Sequence, residues 1–88
     1  MDGYTDPIRV DARDLRPGDV LIRSAGGASY PYGVLDLPFT ALSSIEERLD
    51  PYEVWANRED GTSVQVHVEI VAGVPRCPVW ARLKLDQP

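Results

Sequence analysis

The sequence predicts a single all-β domain over residues 1–88, built as a small barrel or a curled antiparallel sheet. Three observations carry that expectation. The run "TSVQVHVEI" alternates without a fault, placing Val64, Val66, Val68 and Ile70 on one face. "YEVWAN" and "VWARLKL" show the same period of two and are rich in strand formers. Between such runs stand turn clusters, "RPGD", "AGGAS" and "EDG", at short intervals. Eighty-eight residues make one domain near the lower end of what folds alone. At that size a net stability of roughly 4–13 kcal/mol is expected, so almost every apolar residue is needed for the core.

Taken in order, "IRVDA" (residues 8–12) reads as a first short strand. "RPGD" then supplies a turn, because Pro17 fixes φ near −65° and Gly18 accepts a positive φ, the requirements of a type II turn. Asp19 leads into "VLIRS", with Val20 and Ile22 on the core face and Leu21 and Arg23 on the other. Residues 24–33, "SAGGASYPYG", form a loop that carries Tyr30 and Tyr32, either as a binding segment or folded back as a lid. The stretch around 40–49 admits two readings. Ser43 and Glu46 have capping-box spacing, with Ile45 and Leu49 four apart, which suits one short helix. A strand that bends at Ser43 and Ser44 is the preferred alternative.

Register decides the next pair. If Glu59, Asp60 and Gly61 form a three-residue loop, Tyr52, Val54 and Ala56 meet Val68, Val66 and Val64 on one face. Glu53, Trp55 and Asn57 then meet His67, Gln65 and Ser63 on the other. A loop one residue shorter or longer would mix the faces. "AGVPRCP" reads as a loop, since two prolines bar a central strand. The last strand turns Val79, Ala81, Leu83 and Leu85 inward and Trp80, Arg82 and Lys84 outward.

The net charge is −5, and it is unevenly spread. Residues 30–70 carry eight acids against Arg48 and Arg58, whereas residues 71–88 carry Arg76, Arg82 and Lys84 against Asp86. An acidic surface repels phosphates, which disfavours nucleic-acid binding. Eight of the nine basic residues are arginine, a bias that points to a GC-rich genome. The single cysteine, Cys77, excludes an internal disulfide, and no apolar run reaches the ~20 residues of a membrane span. The acidic start "MDGYTDP" does not read as a signal peptide, so a cytoplasmic location is expected, with a virion component as the other option.

Catalytic chemistry finds few parts. His67 is the one histidine, and opposite Glu53 it forms either a surface ion pair or the acid–base pair of a small hydrolase. One Cys and one His on separate elements do not make a zinc site. Arg76 beside Cys77 favours a thiolate, but without a partner histidine a buried, inert thiol is the better reading. "AGGAS" lacks the Lys and Ser/Thr spacing of a phosphate loop. No cofactor or metal is expected. The outward Trp80, Arg82 and Lys84, with Trp55 and the loop residues Tyr30 and Tyr32, have the composition of a protein-interface hot spot. Alternatively, both tryptophans pack as a second core layer.

"DLRPGDVL" resembles the "DLxPGDxV" turn of intein- and hedgehog-type self-processing domains, but their N-terminal Cys or Ser nucleophile and His-bearing block have no counterpart here. The N-terminal part, over residues 8–23, is more similar to short proteins of actinobacteria and their phages that open with a strand and "DLxxGDVL". That resemblance implies a compact SH3-like β fold and no particular activity. The expected function is therefore a non-enzymatic accessory protein of an actinobacterium or its phage, acting through protein–protein contacts with a host factor or with itself. An acidic, nucleic-acid-mimicking inhibitor is the alternative, using the carboxylates of residues 30–70.

Overall fold

The computed structural model describes residues 3–25, 39–49 and 52–85, and these are all-β apart from one 3-10 turn. In chain order the strands are β1 (Ile8–Asp11), β2 (Val20–Ser24), β3 (Leu42–Leu49), β4 (Glu53–Arg58), β5 (Ser63–Val66), β6 (Glu69–Val71), β7 (Val74–Arg76) and β8 (Pro78–Arg82). They form three antiparallel sheets in the orders β1-β8-β2, β3-β4-β5 and β6-β7. Among the described residues no sheet closes into a barrel, so the curled-sheet form is the one adopted. The curl is made by backbone bonds between the sheets. Leu42 N donates to Asp19 O at 2.7 Å, and Gly18 N donates to Leu42 O at 2.9 Å, tying the start of β2 to the start of β3.

The two three-stranded sheets share one core. The central strands β4 and β8 each contribute a valine and an alanine, Val54 with Ala56 and Val79 with Ala81, all nearly or wholly inaccessible. Leu21, Leu42, Val66, Cys77, Ala12 and Leu15 complete it. Sequence alternation fixes these faces, because one residue in two along a strand turns inward.

The opening turn forms as its residues require. Asp19 N donates to Arg16 O at 3.0 Å, and Gly18 has φ +97°. The β4–β5 hairpin also has the expected register, with Val54 opposite Val66, Trp55 opposite Gln65, and Ala56 opposite Val64. Gly61, at φ +88°, occupies the left-handed position of its loop.

Several expectations are corrected. Residues 42–49 are strand throughout; Ser43 Oγ donates to Asn57 O instead of capping a helix, and the register shifts between Leu42 and Ser44. The bend expected at Ser43 and Ser44 is therefore a bulge. The first strand stops at Asp11, whose carboxylate accepts from Arg13 N and starts the 3-10 turn Ala12–Asp14. On β2 Val20 and Leu21 are both buried and Ile22 is half-buried; Leu21, opposite the inward Ala81, joins the shared cluster, and the register shift between Leu21 and Arg23 sets Arg23 opposite the outward Trp80. Tyr52 lies in a turn, with its N–H bonded to Leu49 O, and is exposed, so it does not join the valine face. Leu85 is likewise exposed.

The longest correction concerns residues 62–76. The faultless alternation is broken after Val66, and Glu69–Val71 pairs instead with Val74–Arg76. Ala72 and Gly73, at φ 52° and 78°, make the two-residue turn between them. Pro75 is tolerated because it sits opposite Ile70, one position beyond the pair that closes a two-residue turn, where no N–H is asked of it. In a two-stranded ribbon every strand is an edge.

Candidate functional site

Antiparallel pairing places side chains of three strands in rows across each sheet. On the outer side of β1-β8-β2, Trp80 in the central strand has Arg9 on one flank and Arg23 on the other. Both arginines are exposed and Trp80 is half-buried. The Arg23 guanidinium lies 5.9 Å from the centre of the Trp80 ring, within reach of a cation–π contact. Arg82, two residues along β8, shares this side and spends one N–H on Thr5 O at 3.1 Å. The result is a half-buried aromatic ring with a cation on each flank.

The second sheet also centres on a tryptophan, but its charges are mixed and paired with one another. Trp55, central in β4, has Glu46 on one flank and Gln65 on the other. Its indole N–H donates to Glu53 Oε1 at 2.8 Å, and Arg48 stands over the ring at 4.2 Å while bridging to Glu46 at 3.2 Å. Asn57 joins the same network, donating to Glu46 Oε1 and to Ser44 Oγ. Hydrogen bonds from Arg48 and Asn57 hold the Glu46 carboxyl below its ordinary range, so it is a fixed anion. Arg58 does not offset the acids of this half at the surface, because it points inward and is 7% exposed.

The outward-facing tryptophans expected from the sequence are thus found on two opposite sheets, each half-buried beneath an arginine. Lys84 parts company with Trp80 and Arg82. The strand is interrupted at Leu83, and the Lys84 side chain lies over Gly18, 3.0 Å from where a Cβ would project. There it lines an open cleft of about 610 Å³ with Asp14, Arg16, Pro17, Asp19, Leu83 and Leu85. Tyr30 and Tyr32 fall outside the described residues. Reading one strand at a time missed Arg9 and Arg23, which lie on β1 and β2 and flank Trp80 only because both strands pair with the distant β8. A signal was available: the tripeptide Val-Trp-Ala occurs at 54–56 and again at 79–81. The repeat marks the two central strands.

Two other groups bear on chemistry. β5 ends at Val66, so His67 is not carried opposite Glu53 by the ladder, and Glu53 is engaged by Trp55. Cys77 is fully buried; its Sγ donates to Asp11 Oδ1 at 2.9 Å and its N–H to Asp11 Oδ2 at 3.1 Å. Burial first, and then the neighbouring carboxylate, push its thiol up to about 12. A neutral thiol is a weak nucleophile, so Arg76 beside it in sequence does not activate it. Among the described residues no group of three or more His, Cys, Asp or Glu is placed to hold a metal ion. No helix of the described residues is long and apolar enough to cross a membrane. Comparison with models of protein families, with curated proteins and with solved structures finds no match to this chain.

Proposed function

We propose that this domain works by binding, docking on a protein through the outer face of the β1-β8-β2 sheet. The observation that carries this reading is the row Arg9–Trp80–Arg23. Tryptophan and arginine are the residues that dominate interface energetics, since each offers a large contact area with a polar handle. Here they stand on a three-stranded sheet whose inner side is locked into the core, so the face is pre-organised and little ordering entropy is lost on docking. The reading fits an accessory protein of an actinobacterium or its phage, as the N-terminal resemblance implies. Binding without catalysis is further supported by the thiol held neutral.

The acidic-decoy reading draws less support. Of the described carboxylates in residues 39–70, Glu46 is bridged to Arg48, Glu47 to Arg13, Glu53 accepts from Trp55, and Asp60 accepts from Thr62. Anions already paired inside the fold make a poor copy of a free phosphate row.

The test is a comparison of wild type with Trp80→Ala and Arg9→Glu/Arg23→Glu as baits in lysate of a GC-rich actinobacterial host. A protein retained by wild type and lost by both variants is the expected result. Identical capture by all three would overturn the assignment of the face.

A further inference from the structure

A smaller cleft, of about 270 Å³, is lined by Arg9, Val10, Asp11, Arg76 and Pro78. Register explains its place. Asp11 stands opposite Pro78 as Arg9 stands opposite Trp80, two residues along each strand, so the cleft continues the Arg9–Trp80–Arg23 row. Arg76 enters from the end of β7, where Arg13 Nη1 donates to Pro75 O at 3.4 Å and Cys77 N donates to Asp11 Oδ2 at 3.1 Å. Both lining arginines are exposed, and neither guanidinium has a hydrogen-bond or ion-pair partner among the described residues. Other arginines are spent within the fold, Arg13 on Glu47, Arg48 on Glu46 and Arg82 on Thr5 O. Glu69 faces Arg76 across the ribbon but bridges to neither lining arginine. The lining acid, Asp11, is engaged from within: Oδ1 accepts from Arg13 N and Cys77 Sγ, and Oδ2 from Cys77 N.

We infer that this cleft holds a carboxylate, contributed by an acidic side chain of the protein that docks on the Trp80 face. The inference rests on the reading of that face as a docking surface and names what its partner presents there. A guanidinium is always charged, and its paired N–H donors match the two oxygens of a carboxylate. Arg9 and Arg76 come from strands of different sheets, so they close on one anion from two elements. Two cations against the one carboxylate of Asp11 leave a charge of +1 on the lining. A carboxylate, at −1, neutralises it. A phosphate monoester, at about −1.5 to −2, would leave a surplus of negative charge beside Asp11. A nucleic-acid strand brings a charge at every nucleotide and meets the repulsion of the net charge of −5. A single acidic side chain meets mainly the local pair, because charges more than about 8 Å away are largely screened at physiological ionic strength.

NMR titration of the isotope-labelled full chain tests it, with the capped pentapeptide Ala-Leu-Glu-Leu-Ala and its glutamine counterpart as probes, up to about 10 mM. The glutamate peptide is expected to shift the side-chain N–H signals of Arg9 and Arg76 with a Kd of about 1 mM, and the glutamine peptide to leave them in place. Arg9→Ala and Arg76→Ala should each weaken binding at least ~5-fold, with Arg76→Lys in between. Arg16→Ala, at an exposed arginine outside the cleft, should have no effect. Dispersion of the backbone signals checks that each variant is folded. Signals that do not move, equal shifts from the two peptides, or binding indifferent to Arg76→Ala would each overturn the inference. So would inorganic phosphate or a thymidine oligonucleotide binding there more tightly than the peptide. Failure of the docking face reads differently. A captured protein lost with Trp80→Ala but kept by Arg76→Ala would leave that face in place and refute the carboxylate in the cleft. Equal capture by wild type and Trp80→Ala, with the peptide still bound, would remove the face and leave the carboxylate site.

Discussion

At the scale of single residues, two acids, the buried Asp19 and the half-buried Asp11, hold the chain together in different ways. Asp19, from the "RPGD" turn, is 6% exposed and accepts from Arg16 N at 2.9 Å and Lys84 N at 2.7 Å. It closes its own turn and clips the far end of the last strand to it. Replacing it with Ala strands two backbone donors, and Asp19→Ala is expected to cost about 2–4 kcal/mol in urea denaturation, clearly more than the same change at the exposed Asp60. Asp11 is the partner of Cys77. Burial opposes its charge, but the bonds from Cys77 and Arg13 outweigh that and hold its carboxyl below the usual range. The thiol is pushed the other way, up to about 12. An unfolded chain releases the thiol proton near its ordinary value of 9.0, while the native one keeps it. Between those limits the unfolded state binds fewer protons, so stability falls as pH rises, by up to about 1.4 kcal/mol per pH unit from this group. Denaturation midpoints of wild type and Cys77→Ala at pH about 8 and about 10 check this. The advantage of wild type should shrink at the higher pH; a constant gap would show that the native thiol titrates normally.

At the scale of elements, register was legible wherever turn chemistry and alternation agreed. The β4–β5 hairpin was readable because Gly61 sits where a left-handed residue is required and any other loop length would mix the faces. Alternation alone was not enough at residues 62–70. The pattern continues through His67 and Val68, but Val71 finds Val74 across a two-residue turn, and that local pairing draws Glu69–Val71 away from β4. The turn that does this was unreadable because its first residue is Ala72, a poor choice for φ 52°. The same mismatch makes a prediction. Asn-Gly is the favoured pair for this turn, so Ala72→Asn relieves the strain and should stabilise the protein by about 0.5–1 kcal/mol. Thermal unfolding of the variant reads it directly, and a lowered Tm would mean that the ribbon does not take this turn. The candidate site was legible by halves for a related reason. Trp80, Arg82 and Trp55 could be placed from alternation within one strand. Arg9 and Arg23 could not, because only the non-sequential order β1-β8-β2 brings them beside Trp80.

At the scale of the whole molecule, the proposed binding surface and the core meet in the central strands. β4 and β8 each turn a valine and an alanine inward and a tryptophan outward, so the tryptophan faces are the backs of the sheets that make the core. Neither sheet has a core of its own: Val54 and Ala56 from one and Val79 and Ala81 from the other belong to a single buried cluster. Hydrogen bonds between Gly18, Asp19 and Leu42 couple the sheets at their corner as well. A domain of this construction should unfold in one cooperative step, with neither sheet surviving the loss of the other. The tryptophans are suited to test it, since Trp55 reports on β3-β4-β5 and Trp80 on β1-β8-β2. Fluorescence of Trp55→Phe and Trp80→Phe should give urea transitions with the same midpoint and slope, after correction for the stability change of each substitution. Val79→Ala, a deletion made wholly within the first sheet, should cost about 1–3 kcal/mol and lower the midpoint reported by Trp55 as much as that reported by Trp80. Transitions that separate, or a Trp55 signal indifferent to Val79→Ala, would mean that the sheets are independent units and that the shared cluster contributes little to either.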